Sequence, residues 1–410
     1  MVMRRSPFYG WWIVSMLGFT EMTSWGVIYY AFSVLLTPMQ RELGWSQAHF
    51  TGGFSLALFI SGIVALPVGR WLDQHGARGL MTLGSCLAAI LVVAWANVQS
   101  LLAWYLIWAG LGLAMAAILY EPAFAVVATW FQQKRQHALT ILTVGGGLAS
   151  VVYVPLVTRL LGTLNWREVL LWLAAILAVL TIPLHGLVLR GKPADLGLLP
   201  DGGSLAVATV TPNPTIQPSM SLGNAIRASS FWWLALAFGL TTMATFTLGV
   251  HLISAIQAQG YAPEIQALAV ALLGGSQIPS RIVIGSVGRR WPQVQLAWML
   301  CLLQSAAFAI FLFVPNVTGL LLFACLFGAG SGALTPTRAA LVADVFGTAQ
   351  YASISGALAL LTTTARALAP VLASLLVGLL HSYQPLFGLL LLMCLISAAA
   401  IYLIRGASNG

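Results

Sequence analysis

The stretch that decides the fold of this chain is Arg190–Arg227, RGKPADLGLLPDGGSLAVATVTPNPTIQPSMSLGNAIR. It is the one long polar segment in 410 residues, and Gly, Pro, Ser and Thr recur in it without a hydrophobic period. Such a composition buries too little apolar surface to offset the entropy of ordering, so it predicts a flexible tether. The flanks on both sides are almost wholly apolar, and the tether therefore separates two halves of the chain.

Composition places both halves in a membrane. Hydrophobic residues make up 60% of the chain and charged residues 7%, whereas about a quarter of a soluble domain is charged. Apolar runs of about 18 residues or more, long enough to cross a bilayer, recur throughout. Because these runs are continuously apolar rather than alternating, they predict helices. We predict an all-α membrane protein with twelve transmembrane helices, at about 11–37, 48–72, 79–96, 101–129, 137–162, 168–190, 230–257, 265–287, 294–314, 318–345, 352–377 and 385–404.

The distribution of basic residues predicts the orientation of the helices. Twelve Lys and Arg fall at the termini and in alternate loops, at positions 4, 5, 70, 78, 134, 135, 190, 192, 227, 289, 290 and 405. The opposite loops carry only Arg41, Arg159 and Arg167. This is the positive-inside pattern, so both termini and the tether are expected in the cytoplasm, with the chain in the inner membrane. Topology thus explains the net charge of +9, and no nucleic-acid partner is predicted.

The two halves repeat each other at a nearly constant offset. Residues of the first half recur in the second in the pairs Trp11/Trp232, Gly18/Gly239, Gly69/Gly285, Phe131/Phe346 and Pro155/Pro370. We therefore predict two pseudo-symmetric six-helix bundles, 1–190 and 228–410, joined by a cytoplasmic linker at 191–227. Six plus six helices is an arrangement typical of transporters, whose sites lie near the midplane where the repeats meet.

The loop after the second predicted helix reads GRWLDQHGAR at 69–78. It resembles the G-x-x-x-D-x-x-G-x-[RK] loop of the major facilitator superfamily, and the repeat architecture extends the likeness over nearly the whole chain. The resemblance implies that Gly69, Asp73, Gly76 and Arg78 form a cytoplasmic gate, with Asp73 near a helix N-terminus, where negative charge is favourable. The alternative is a capped turn that carries positive-inside charges.

Five charged side chains fall inside predicted helices: Glu21, Glu121, Arg281, Arg338 and Arg366. A charge at membrane depth is costly unless it faces protein or water, so each is a functional candidate. Both acids lie in the first half and all three arginines in the second. In the superfamily fold the helices that carry them, numbers 1, 4, 8, 10 and 11, line the central cavity, so the resemblance places all five there.

Arg281 belongs to the segment GGSQIPSR at 274–281, about two turns from the cytoplasmic end of helix 8. Gln277 precedes it by four residues and so lies on the same helix face. This resembles the monocarboxylate-transporter branch of the superfamily, in which an arginine of helix 8 holds the substrate carboxylate. A guanidinium presents a planar fork that matches a carboxylate. We expect Arg281 and Gln277 to bind the substrate; the alternative is an arginine that snorkels or locks helix 8 to a neighbour.

The first helix supports the same branch. Its segment EMTSWG at 21–26 is similar to the acid-x-x-x-Trp-Gly stretch of that family. The resemblance implies a site for an organic anion, for which we expect Tyr120 as a hydrogen-bonding neighbour. Trp25, Tyr29 and Tyr30 are expected as its aromatic walls.

Glu121 and Glu21 are candidate proton carriers. Glu121 stands before Pro122, which removes a backbone donor and loosens the helix locally. An anion that binds an arginine changes the proton affinity of a nearby carboxyl group, which is the physical basis of proton coupling. The alternatives are a static Glu121–Arg338 bridge and, for Glu21, a hydrogen bond between helices.

Three further residues are also candidates for functional roles. Arg338 follows a glycine run that permits close helix packing, and we assign it to the gate. Arg366 is either a second anion contact or a lock between helices. His251 is either a proton-entry residue or a packing residue.

Together these features predict a secondary active transporter that moves a small, monocarboxylate-like organic anion with a proton by alternating access. No nucleotide motif, metal-ligand spacing or nucleophile set is present, so neither an enzyme nor a metal or cofactor is predicted. The expected partners are the anion, the proton and the lipid bilayer, and a monomer is expected. Two alternatives stay open: a proton-driven exporter of amphipathic or cationic compounds, and a transporter-derived ligand sensor.

Overall fold

The computed structural model describes residues 8–202, 219–288 and 290–407. Its long helices are α1 (Tyr9–Ser24, a π-helical turn Trp25–Tyr30, and Ala31–Leu43), α2 (Gln47–His75), α3 (Ala77–Ala96), α4 (Leu101–Ile118 and Tyr120–Trp130), α5 (Arg135–Gly147 and Ala149–Leu160), α6 (Trp166–Leu187), α7 (Ser229–Ala258), α8 (Pro263–Gly275 and Gln277–Val287), α9 (Gln293–Phe313), α10 (Val317–Phe346), α11 (Tyr351–Leu380) and α12 (Gln384–Ala407). Within these described ranges, the eleven helices α2 to α12 are long and apolar enough to cross a membrane. With α1, the predicted all-α, twelve-helix membrane fold is confirmed.

Four of the helices are interrupted, which the apolar pattern did not predict. In α4 the break lies at Leu119, whose φ of −90° and ψ of −163° are extended. Pro122 explains its place: the proline ring clashes with the carbonyl of the residue four positions earlier, Ile118, where the first segment ends. The predicted loosening is therefore real, but it falls three residues before the proline. At the end of α1, Gly44 with a φ of 68° stops the helix six residues beyond the predicted end at 37.

The predicted tether is ordered where the structure describes it. Short 3₁₀ turns span Pro193–Leu196 and Pro200–Gly202, and an α-helix spans Leu222–Arg227. The Asp201 carboxylate accepts the backbone N–H groups of three successive residues, 132, 133 and 134, at 3.1, 2.7 and 3.1 Å. Such bonds offset the ordering entropy that composition alone suggested was too large. Residues 203–218 of the tether lie outside the described residues.

The chain divides into two compact units. The first comprises Met1–Ser219 with Gly347–Ala357, and the second Met220–Phe346 with Leu358–Gly410. The first unit therefore takes in the first turns of α11. The predicted linker limits, 191–227, stay a prediction.

Each unit has its own core of aromatic side chains. In the first unit, Trp95, Trp104 and Trp108 are fully buried between α3 and α4 and pack against residues of α1 and α2. In the second, buried Phe308 and Phe323 pack α9 against α10. Large apolar side chains also remain exposed on most helices, as a lipid-facing surface requires.

Candidate functional site

Glu21 is fully buried in α1 and is bonded to the residue one turn ahead of it. The indole N–H of Trp25 donates to Glu21 Oε2 at 2.9 Å. Among the residues the structure describes, Glu21 Oε1 has no hydrogen-bond partner, and neither has the buried hydroxyl of Ser24 one turn along the same face. Buried polar atoms are normally satisfied, so this pair is a candidate site for a proton or a ligand.

Trp25, the hydrogen-bond partner of Glu21, belongs to a series of four predicted aromatic residues in contact with one another. The ring of Trp25 lies 5.3 Å from that of Tyr120 and 5.2 Å from that of Tyr29, whose ring is in turn 5.2 Å from Tyr30. All four side chains are partly exposed. The structure thus brings the predicted aromatic walls and the predicted neighbour Tyr120 into one continuous surface of the first unit.

Glu121 begins the second segment of α4 and is only partly buried. Its Oε2 accepts a hydrogen bond from the hydroxyl of Ser355, in the part of α11 that belongs to the first unit. Sequence reasoning missed Ser355, since a serine 234 residues away carries no recognisable signal.

The predicted gate residue Asp73 lies in the last turn of α2. Its Oδ1 accepts the N–H of Ala352 at 3.1 Å, and its Oδ2 accepts the N–H of Ser353 at 2.8 Å. Both amides belong to the first turn of α11, where N–H groups lack partners within the helix. Asp73 therefore caps α11 and places its charge at the positive end of the helix dipole.

Gly69, Gly76 and Arg78 support this arrangement. A Cβ at Gly69 would overlap the carbonyl oxygen of Ala352, so α2 and the start of α11 approach closely only because residue 69 is glycine. Gly76 has a φ of 76°, a left-handed conformation that glycine adopts freely. Arg78 Nε donates to the carbonyl of Gly186 at 2.7 Å, at the end of α6. Asp73 and Gly76 border a cavity of about 450 Å³ that Thr129, Lys192, Asp195 and Tyr351 also line.

In the second unit, Arg281 is buried with 6% of its surface exposed. Its Nε donates to the carbonyl of Gly332 on α10 at 3.2 Å. Gln277 begins the second segment of α8, directly after the interruption at Ser276. A Cβ at Gly332 would overlap Gln277, so α8 and α10 cross closely at this point. The structure thus places Arg281 and Gln277 together at a helix break.

The other predicted residues of the second unit contact aromatic or polar groups of their own unit. The guanidinium of Arg338 lies 5.2 Å from the ring of Phe238, and that of Arg366 lies 4.5 Å from the ring of Phe246. Both contacts are cation–π contacts with α7 and fit a locking role. His251 Nε2 lies 3.4 Å from the hydroxyl of Ser374, a contact that fits the packing alternative.

Comparison with known proteins decides the family. The sequence profile of the Major Facilitator Superfamily matches residues 14–326. The chain belongs to this superfamily. As a major facilitator it is a multi-pass membrane transporter and not an enzyme.

Named relatives of this major facilitator include monocarboxylate transporters. Monocarboxylate transporter 13 of Rattus norvegicus is 25% identical over 361 residues, which are 85% of this chain and 78% of that protein. Monocarboxylate transporter 11 of Homo sapiens is 28% identical over 326 residues, 76% of this chain and 65% of that protein. Among solved structures, the human organic anion transporter MFSD10 (TETRAN) has a TM-score of 0.69 at 16% identity, covering 96% of this chain and 99% of that chain. The predicted resemblance to this superfamily and to its monocarboxylate transporters is confirmed.

Proposed function

We propose that this major facilitator carries small organic anions, monocarboxylates among them, together with a proton across a cell inner membrane. The observation that carries the proposal is the buried guanidinium of Arg281, four residues after Gln277 at the interruption of α8. A charge held at membrane depth is retained for function, and a guanidinium is matched to a carboxylate. The similarity to proteins named monocarboxylate transporters supports the same substrate class.

The remaining roles are further parts of the proposal. Glu21 or Glu121 takes the proton, Tyr120 and Gln277 contact the anion, and Asp73 holds the gate contact that opens and closes in alternating access. Gating by Gly69, Gly76 and Arg78 is also proposed. The contacts of Arg338, Arg366 and His251 fit locking or packing, so gating by Arg338, anion binding by Arg366 and proton entry through His251 stay predictions from the sequence. The protein acts as a monomer with both termini and the 191–227 segment in the cytoplasm.

The test is uptake of a radiolabelled monocarboxylate, such as pyruvate, into proteoliposomes that contain Arg281→Gln. The substitution removes the guanidinium that binds the carboxylate and does not shorten α8. We therefore expect uptake of the labelled monocarboxylate at background level. The matched control is Arg159→Gln, because Arg159 is exposed on α5 and its loss should leave uptake unchanged. Equal uptake by the two variants and the wild-type protein would remove Arg281 from the site.

One observation favours a second candidate, export of amphipathic cations. The carboxyl group of Glu21 accepts a hydrogen bond from Trp25, whose ring lies beside that of Tyr120, and a carboxyl group beside aromatic rings also suits a cation. Proton-driven accumulation of an organic cation in inverted vesicles, without transport of any carboxylate, would establish this function in place of anion transport.

A further inference from the structure

The π-helical turn of α1 sets which aromatic side chains share a face. Residues five apart in an α-helix point about 140° away from each other. Within Trp25–Tyr30 the helix is wider, and the N–H of Ala31 donates to the carbonyl of Gly26, five residues back. This i→i+5 bonding brings Trp25 and Tyr30 towards the same side. Short π-helical turns are rare and frequently occur at functional sites.

The turn builds a surface that we call the aromatic shelf, made of Trp25, Tyr29, Tyr30, Phe54 and Tyr120. The rings follow one another at centroid distances of 5.0 to 5.3 Å, with Phe54 lying 5.0 Å from Tyr29. Every member is partly exposed, unlike the fully buried rings of the core.

Three buried aromatic rings pack against members of the aromatic shelf. Phe32 stacks on Phe54 at 4.7 Å with an interplanar angle of 10°, and Trp108 meets Phe54 edge-on at 5.4 Å. Tyr120 stacks on Phe124 at 5.1 Å, with the two rings nearly parallel. A set of rings fixed in this way loses little side-chain entropy when a flat ligand binds.

We propose that the substrate anion carries an aromatic ring, which packs on the aromatic shelf. This inference rests on the proposed function and narrows it from organic anions to aryl carboxylates. A short aliphatic acid such as acetate would leave the rings uncovered, whereas an aryl group gains offset or edge-to-face contacts beyond its buried area.

The first test compares ligands on the wild-type protein, so no variant has to fold. Purified full-length protein is titrated with radiolabelled benzoate, which is then displaced by cyclohexanecarboxylate, acetate or benzylammonium. Cyclohexanecarboxylate has the same charge and a similar outline as benzoate but no π system. We expect benzoate to bind about three- to tenfold more tightly than cyclohexanecarboxylate, and acetate to bind weakest.

The possible outcomes distinguish a failure of the aryl preference from a failure of the proposed anion transport. Equal affinity for benzoate and cyclohexanecarboxylate, or tighter binding of acetate, overturns the aryl preference and leaves anion transport standing. Saturable binding of benzylammonium with no binding of any carboxylate overturns both and supports the cation exporter.

The second test removes one ring of the shelf. Tyr30→Leu should weaken benzoate binding by about three- to tenfold and change acetate binding little, because acetate has no ring to pack on the tyrosine ring. The matched control is Tyr402→Leu, on α12 of the second unit, where the tyrosine packs against Trp298 at 6.1 Å. Equal losses for benzoate and acetate in Tyr30→Leu would contradict a ring-binding role.

Discussion

At the scale of single residues, Glu21 is the strongest candidate for carrying the proton. Its position in an apolar helix is evident from the sequence, and so is the tryptophan four residues later. The sequence left open whether Glu21 bonds between helices or carries a proton. The bond to Trp25 within α1 and the unpartnered Oε1, among described residues, favour proton carriage.

Glu21→Gln should therefore uncouple transport from protons. Glutamine has nearly the same size and still accepts the hydrogen bond from the Trp25 indole, but it cannot release a proton. We expect concentrative uptake driven by a pH gradient to fall to background while exchange of labelled for unlabelled substrate continues. Glu264→Gln, at an exposed glutamate that begins α8, is the control. Normal pH-driven uptake by Glu21→Gln would transfer the role to Glu121.

At the scale of elements, the start of α11 depends on α2. Asp73 caps two of its amides, and Gly69 lets the two backbones approach. The motif was recognisable in the sequence, but the helix that it caps was not, because Ala352 lies 279 residues further along the chain. The break in α4 is different, because Pro122 indicates it in the sequence and only its exact place, three residues before the proline, required the structure.

Gly69→Ala should disturb the close packing of α2 against the start of α11. The added methyl group would overlap the carbonyl of Ala352, and overpacking of this kind costs about 1–3 kcal/mol. We expect α11 to move away from Asp73 and the uptake rate to fall by about fivefold or more, measured as initial rates in proteoliposomes. Gly79→Ala is the matched control, because a Cβ there has nothing within 4 Å. Identical rates for both variants would show that the close approach is not needed for transport.

At the scale of the whole molecule, the proposed proton coupling makes a quantitative prediction. If one proton accompanies one anion, an inward gradient of one pH unit should support about tenfold accumulation of the substrate, and a protonophore should abolish it. The measurement is the steady-state ratio of labelled substrate inside and outside proteoliposomes, with Arg281→Gln vesicles as the control. Accumulation that persists after the protonophore is added would exclude the proton as the coupling ion.

The amino-acid sequence by itself determined the helical membrane fold, the approximate place of each span and the family motif, because length, hydropathy and residue spacing are local properties of the chain. The tertiary structure alone decided the π-helical turn that gathers Trp25, Tyr29 and Tyr30, the pairing of Glu121 with Ser355, and the docking of Asp201 on the loop before α5. The π-helical turn is a local backbone bonding pattern that a hydrophobic period does not distinguish from an α-helix. The Glu121 and Asp201 contacts join groups far apart in the chain, which meet only after packing. Hydropathy and residue spacing therefore do not predict which distant groups come into contact.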